Sequence, residues 1–512
     1  MIIVEARLDG TFVPLVREKE MLRLGDLVAR TGIIGEEAST RAIEVIKRFS
    51  AIAEANNADE VVALGTAAIR EALDGGEFVD RVRNEAGIRI TVVDGTREAE
   101  LIFTAVRSSV LIDPGPALVA DLGGGSLELI VGDRSELSLA TSVPLGVGRL
   151  TAVISNDPPS DKDIKKLRAL VADKLDPIFS EIVAERPRQL IVSSGTFLAL
   201  VRMAGESRDG VVHESLNQLT VGRVELDQLA DQIFRLSAAE RGKLPGAEPR
   251  RAELLPAGAV VLDYLLTASG LDEVTASDWA LREGIVLDAI GAHDVVELLD
   301  DPRALRRWSV LSLCRRSNWR QPHARQVAAL ALDLFDATSE LHHLGPDDRE
   351  LLEFGALLHD IGEHVSRTDH DRHSAYLIEN GGLRGFSPQE VRILATMGRF
   401  HVRGTPKASF EAFSELGEDD QSRAVELTAI LRLADALDAS HRGRVRELNA
   451  AALGPGRELT ITIRSAGDAA LELWTVRRKQ ELFERIFAAQ LDFVVAPTAA
   501  RGAIVSSGSG LS

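Results

Sequence analysis

Two apolar, β-prone runs, Ala117-Leu118-Val119-Ala120 and Leu127 through Val131, flank Gly123-Gly124-Gly125-Ser126 and predict a hairpin at the centre of the chain. Upstream, residues 1 to 102 alternate strand and helix signals. Arg7 to Val16 has the pattern of a short hairpin with Asp9-Gly10 at its turn. Glu37 to Asn56 places Ile43, Ile46, Phe49 and Ile52 at steps of three and four, which predicts an amphipathic helix. Val61 to Leu64 reads as a buried strand ending at Gly65-Thr66, ahead of a helix that carries Arg70. A strand over Ile88 to Val93 then runs into Asp94-Gly95 and a helix beginning near Thr96.

Downstream of the hairpin, Ser142 to Thr151 reads as a strand end and turn. Asp161 to Glu185 is a helix, and Gln189 to Val192 a short strand leading into Ser193-Ser194-Gly195-Thr196. Leu254 to Leu266 is an apolar helix, and Thr275 to Gly284 closes this half. From about residue 300 helical periodicity takes over, with helices over Pro322 to Ala337, Asp347 to Ile361 and Ala424 to Leu437. Residues 446 to 496 read as a small α/β unit: strands Glu458 to Ile463 and Ala470 to Leu473, then a helix from Arg477 to Ala489. The segment from Ala499 reads as a frayed tail. Strands alternating with helices in the first half, then helices, predict an α/β protein followed by an α-rich part.

At 512 residues the chain requires several cores. The formal charge of −19 argues against nucleic-acid binding through the field of the whole molecule, so a polyanion must be met locally. The clearest basic tract runs from Arg303 to Arg325, with seven arginines and no acidic residue; its alternative is a solvated helix face. One cysteine, Cys314, excludes an internal disulfide framework. With no basic n-region at Met1-Ile2-Ile3-Val4-Glu5 and no membrane-length apolar run, the expectation is a cytoplasmic protein without a membrane partner.

The candidate chemistry gathers at strand ends, where open parallel sheets bind ligands. The triple glycine, through positive φ and the absence of Cβ atoms, lets backbone N–H groups converge on an anion. Asp121 and Glu128 put carboxylates, and Ser126 a hydroxyl, around that turn. Arg70 is suited to clamp a phosphate oxygen, Glu98 to serve as a general base, and Ser194-Gly195-Thr196 to offer hydroxyls and close backbone access. Arg70 and Glu98 each have an ordinary alternative as a surface ion pair or first-turn helix charge, and the glycine loop has one as an ordinary glycine-rich hairpin. Arg149 is a further candidate ligand.

Taken together, Gly65 to Arg70 (GTxxxR), Gly95 to Ile102 (GxxEAxLI), Asp121 to Glu128 (DxGGGSxE), Ser194-Gly195-Thr196 and Leu281-Arg282-Glu283-Gly284 resemble, in order and spacing, the Ppx/GppA family of exopolyphosphatases and guanosine pentaphosphate phosphatases. The resemblance implies two actin-like domains of the sugar kinase and Hsp70 ATPase superfamily, over 1–102 and 103–288, with the active site between them. It further implies a helical HD-like domain over 300–443 and a small α/β domain over 446–496. Carried over by position, Glu98 becomes the water-activating base, Arg70 a phosphate-binding arginine, Asp121 a magnesium ligand and Glu128 a magnesium or water ligand. Gly123, Gly124, Gly125 and Ser126 become the phosphate loop, with Ser194, Gly195 and Thr196 as further substrate contacts. The implied activity is Mg²⁺-dependent release of terminal orthophosphate from polyphosphate, or 5′-phosphate removal from guanosine pentaphosphate, in a homodimer. One departure stands out: the family begins with a strand running into D-x-G-S-N-S, and this sequence starts just after it. A mis-assigned start is the favoured explanation; a genuine loss would fit a non-catalytic sensor of polyphosphate or alarmone.

In the helical part, His323, His359-Asp360 and Asp435 follow the H…HD…D order of the HD superfamily of metal-dependent phosphohydrolases. Imidazole and carboxylate ligands suit Mn, Fe, Zn or Mg, and His364, His370, His373 and His401 are available to enlarge the cluster. The alternative is a set of buried, hydrogen-bonded core histidines. The arginine tract, with Arg477, Arg478 and Lys479, is a candidate lining for a polyphosphate path.

Overall fold

The computed structural model describes residues 1–7, 11–291, 303–450, 454 and 457–496. The chain divides into two compact units, Met1–Ser309 with Arg384–Pro388, and Val310–Leu383 with Gln389–Ser512. The Asp9-Gly10 turn and the tail from Ala499 lie outside the described residues, but the hairpin strands flanking that turn are present: β1 (Ile2–Ala6) pairs antiparallel with β2 (Phe12–Arg17). β3 (Ala63–Gly65) and β4 (Ile90–Val92) form a separate parallel pair, beside which Val61, Val62 and Val92 stay exposed.

The first unit is built around a six-stranded sheet. Its strands are β5 (Ala117–Leu122), β6 (Leu127–Gly132), β7 (Leu137–Val143), β8 (Gln189–Ser193), β9 (Thr220–Gly222) and β10 (Glu273–Ala276), in the order β7-β6-β5-β8-β10-β9. β5 pairs parallel with β8 and antiparallel with β6, the predicted hairpin. Every residue of β5 and β6 is buried, because both sheet faces are covered. Period-two alternation divides the side chains. Leu118, Ala120, Leu127, Leu129, Leu190 and Val192 face one core, with the helices Asp161–Ala184, Gly195–Asp209 and Leu255–Ser269. Ala117, Val119, Ile130 and Ile191 face the other, formed with Ala99, Ile102, Phe103 and Val106 of the helix Gly95–Arg107. A Cβ at Gly284 would lie 2.0 Å from the Leu101 carbonyl oxygen, so the glycine of Leu281-Arg282-Glu283-Gly284 lets the helix Leu281–Ala289 press against Gly95–Arg107.

In the second unit the helices Gln321–Ala337, Pro346–Leu358 and Glu418–Ala436 match the expected ones, with one difference. His359 is the C-cap of its helix and Asp360 stands beyond it, ahead of a 3₁₀ turn over Ile361–His364, so the His-Asp pair is not inside a helix. The expected strand Ala470 to Leu473 is also wrong: Ala470–Lys479 is helical. Its alternating leucines do not alternate in burial; Leu471 is exposed while Glu472 and Val476, four apart, are buried. The helix expected from Arg477 to Ala489 breaks at Gln480 and resumes over Glu481–Phe487. The sheet here is instead β11 (Val445–Ala450), β12 (Glu458–Ser465) and β13 (Gln490–Val495), in that order. Cys314 is buried, and burial pushes its thiol up to about 12. Among the described residues, no helix is long and apolar enough to cross a membrane.

Candidate active site

The sheet register sets the site. Asp121 pairs with Glu128 on β6 and with Ser193 on β8, and Glu128 pairs with Ser142 on β7. Ser142, Glu128, Asp121 and Ser193 therefore form one row across four strands. By alternation that row lies on the face covered by Gly95–Arg107. The Ser142 hydroxyl donates to Glu128 Oε1 at 2.8 Å, and the Ser193 hydroxyl donates to Asp121 Oδ2.

The helix Gly95–Arg107 delivers Glu98 to the row. Asp94 caps it, accepting from the Arg97 N–H at 2.8 Å. A Cβ at Gly95 would fall 2.4 Å from Ser142 Cβ, so the glycine is what allows the helix start to rest on β7. Glu98 follows in the first turn, buried, with Arg70 Nη1 3.4 Å from its Oε2. Arg70 is itself fixed by donating to the Val93 carbonyl at 2.7 Å.

Three carboxylates thus meet in a buried space. Burial raises the Glu98 carboxyl above its usual range, and the Arg70 charge opposes the rise. Burial carries Asp121 up to about 6, against the Ser193 hydrogen bond. Glu128 reaches about 8, first through burial and then through the charges of Glu98 and Asp121. Among the described residues neither Asp121 nor Glu128 pairs with a lysine or arginine. Oxygen-only donors with uncompensated charge are the set a hard divalent cation takes, so the residues fit Mg²⁺.

The triple glycine works differently from the sequence expectation. None of Gly123, Gly124 and Gly125 adopts a left-handed φ. Their carbonyls are held by a second glycine stretch: the N–H groups of Gly146, Val147 and Gly148 donate to Gly125, Gly123 and Gly124 at 3.1, 2.9 and 3.1 Å. A Cβ at Gly146 would lie 2.3 Å from the Gly124 oxygen, so the missing side chain at 146 is what allows the close backbone approach. The N–H groups of Gly124, Gly125 and Ser126 have no acceptor among the described residues, leaving donors for an anion. Gly146 to Arg149 is not a turn, because Val147–Thr151 forms a short helix. Arg149 Nε donates to the Gly125 carbonyl at 3.1 Å and the guanidinium pairs with Glu71, so Arg149 braces the loop.

Ser194 stands at φ 79°, ψ 154°, a region nearly reserved for glycine, and its buried hydroxyl has no partner. Thr196 is buried with its methyl toward Gly258, where a Cβ would be 2.6 Å away. Gly195 meets a residue that sequence reasoning missed. A Cβ there would lie 2.1 Å from Arg251 Nη2, so the Arg251 guanidinium lies on the backbone of the loop. Glu248 holds Arg251 through its Nε at 2.9 Å. Arg251, Arg282 and Arg250 also depress Lys19, after burial, which marks a cationic cluster beside the loop.

Residues 3–293 match the model of the Ppx/GppA phosphatase family, and residues 305–480 match that of Ppx/GppA phosphatase domain III. The chain belongs to the Ppx/GppA phosphatase family. As a Ppx/GppA protein it is a phosphatase, a hydrolase by class. Exopolyphosphatase 1 of Mycobacterium leprae (strain TN) is 34% identical to it over 289 residues, 56% of this chain and 85% of the relative. Exopolyphosphatase 1 of Mycobacterium tuberculosis (strain ATCC 25618 / H37Rv) is 33% identical over 289 residues, covering 56% and 83%. The crystal structure of an exopolyphosphatase from Cytophaga hutchinsonii superposes with a TM-score of 0.54 and 29% identity, over 57% of this chain and 93% of that one.

In the second unit of this Ppx/GppA chain the four H…HD…D positions do assemble. His323 Nε2 and His359 Nε2 lie 3.7 and 3.6 Å from Asp360 Oδ2, and 3.7 and 3.8 Å from Asp435 Oδ1. Of the four additional histidines, His370 and His401 join the cluster; exposed His364 and half-buried His373 are in neither potential metal group. Lys479, read as a path residue, donates instead to Asp435 Oδ2 at 2.7 Å. The arginine tract is likewise engaged: Arg306 lies over the Phe386 ring, Arg316 donates to the Gly381 carbonyl and Arg320 pairs with Glu363.

Proposed function

We propose that this protein is an exopolyphosphatase that hydrolyses terminal orthophosphate from inorganic polyphosphate with Mg²⁺. The observation that carries the reading is the meeting of the Asp121–Glu128 row, the Glu98–Arg70 pair and the free amides of Gly124 to Ser126. In this reading the first unit comprises two actin-like domains, the helical part of the second is HD-like, and a small α/β domain follows. Relatives that are named exopolyphosphatase 1 support the choice of substrate.

The amides and Arg70 hold the oxygens of the terminal phosphoryl group, and the cationic cluster at Lys19, Arg251 and Arg282 receives the phosphates behind it. Asp121 and Glu128 would hold Mg²⁺, which would supply charge neutralisation for the phosphoryl group. Glu98, desolvated and steered by Arg70, accepts a proton from the attacking water. The new bond joins water oxygen to the terminal phosphorus; the bond to the bridging oxygen breaks, and that oxygen leaves on the shortened chain.

The reading is tested by comparing turnover on long polyphosphate with turnover on guanosine pentaphosphate. Faster kcat/KM on polyphosphate is expected. Preference for the nucleotide would replace the proposal with 5′-phosphohydrolysis, and tight polyphosphate binding without orthophosphate release would establish a sensor.

Ser194 supplies an independent check. Relief of its strained backbone, about 1–3 kcal/mol less the entropy a glycine costs, should let Ser194→Gly raise the unfolding midpoint by a few degrees. Loss of the unpartnered hydroxyl should raise KM for polyphosphate several-fold. An unchanged KM would remove Ser194 from the substrate site.

A further inference from the structure

The cluster in the second unit holds more ligands than one ion at the H…HD…D positions uses. The two oxygens of Asp360 face different partners. Oδ2 faces His323 and His359, as above, while Oδ1 lies 3.2 Å from His370 Nε2 and 3.1 Å from His401 Nε2. Two three-residue groups able to hold a metal, His323-His359-Asp360 and Asp360-His370-His401, therefore share one carboxylate.

The imidazoles are turned for coordination. Each Nδ1 has an oxygen partner: Asp438 Oδ2 at 2.8 Å for His323, the Ala356 carbonyl at 2.7 Å for His359, the Arg367 carbonyl at 3.1 Å for His370 and the Gly398 carbonyl at 2.8 Å for His401. A carbonyl accepts only from N–H, so at least the three carbonyl-bound rings carry hydrogen on Nδ1 and, when neutral, aim an Nε2 lone pair inward. His323 Nε2 and His359 Nε2 are buried without a hydrogen-bond partner, on residues 3% and 0% exposed. His370 Nε2 and His401 Nε2 face each other at 3.2 Å. Two lone pairs at that distance repel unless a cation or proton lies between them.

The spacing fits metal bonds. Ligands about 2.0–2.2 Å from one ion stand about 3.0 Å apart at right angles and about 3.4 Å apart in a tetrahedron. The second group, at 3.1–3.2 Å, matches directly. The first, at 3.6–3.8 Å, needs to close by a few tenths of an ångström. Supporting contacts are in place: Asp438 backs His323, and Lys479 holds the outer oxygen of Asp435. The Asp360, Asp435 and His370 side chains keep 15%, 17% and 22% exposure, so water can complete each coordination sphere.

We propose that the second unit binds two divalent first-row transition-metal ions, one on His323, His359, Asp360 and Asp435, the other on His370 and His401, with Asp360 bridging both. The imidazole majority selects Mn, Fe, Co, Ni or Zn over Mg or Ca. This centre is separate from the Mg²⁺ residues of the first unit and does not depend on the reading of that site.

The test is metal content of the full chain after reconstitution with Mn²⁺, Fe²⁺ or Zn²⁺ and extensive dialysis. The parent should retain about two equivalents, His401→Ala about one, and Asp360→Ala essentially none, as a shared ligand requires. Co²⁺ substitution should give visible d–d bands that weaken in His401→Ala. Orthophosphate release by the first unit and circular dichroism verify that each variant is folded. A parent that retains no transition metal overturns the proposal. So does a parent holding one equivalent that His323→Ala and His401→Ala both abolish, because that is a single site.

Discussion

Glu98→Gln is expected to lower kcat for orthophosphate release by about 10²–10⁴-fold while leaving polyphosphate binding within a few-fold of the parent. Glutamine keeps the size of the side chain and its contact with Arg70 but cannot take a proton. Glu98 is buried in the first turn of Gly95–Arg107, whose position rests on Gly95 against Ser142, so the substitution alters chemistry more than shape. Quench-flow release assays, paired with filter binding of labelled polyphosphate, separate the two effects. Turnover within a few-fold of the parent would remove Glu98 as the base.

Glu128→Gln should abolish activity and stabilise the metal-free protein. In the folded state burial and the neighbouring carboxylates raise Glu128 to about 8 from its ordinary 4.5. A carboxyl raised on folding binds more protons in the native state, so its stabilising share is complete below about pH 4.5 and is lost as pH climbs through about 8. Asp121, raised to about 6, loses its share earlier over the same sequence of events. The apparent midpoint in EDTA should therefore fall between about pH 5 and pH 8 and level off above, with a limiting slope of about 1.4 kcal/mol per pH unit for one group. At about 2–4 °C per kcal/mol, that is a shift of several degrees. Mg²⁺ should cancel the fall by occupying the ionised carboxylates, and Glu128→Gln should flatten it without Mg²⁺. A parent midpoint that rises over this range would contradict the burial of these charges. Gain of stability with loss of function is the pattern expected where like charges are held together for catalysis.

What the sequence made legible followed from periodicity. Period two in two buried runs gives the hairpin and places Asp121 and Glu128 on one face. The capping aspartate before Gly95 and the charged first turn give the helix that carries Glu98. Other features depend on contacts between distant segments. Arg251 reaches Gly195 from a 3₁₀ turn over Pro249–Arg251, and only the missing Cβ at Gly195 marks the approach. The triple glycine suggests left-handed backbone, yet none of the three adopts it; the close approach rests on the missing Cβ of Gly146, from a stretch that no local pattern links to the loop. In the small domain, the Leu-Glu-Leu alternation of residues 471 to 473 mimicked a strand, while burial at Glu472 and Val476 follows the helical period. The six-residue cluster was legible in type, since the histidines are concentrated after residue 300. Which of them converge on Asp360 is decided by the fold.

In the proposed function the first unit directs water to the terminal phosphorus of a polyphosphate chain. Hydrolysis in ¹⁸O-enriched water, with mass analysis of both products, tests it most directly. One ¹⁸O is expected in each released orthophosphate and none in the shortened chain, with loss of release in Glu98→Gln. Label in the shortened chain would place the attack on the penultimate phosphorus and contradict the site as built.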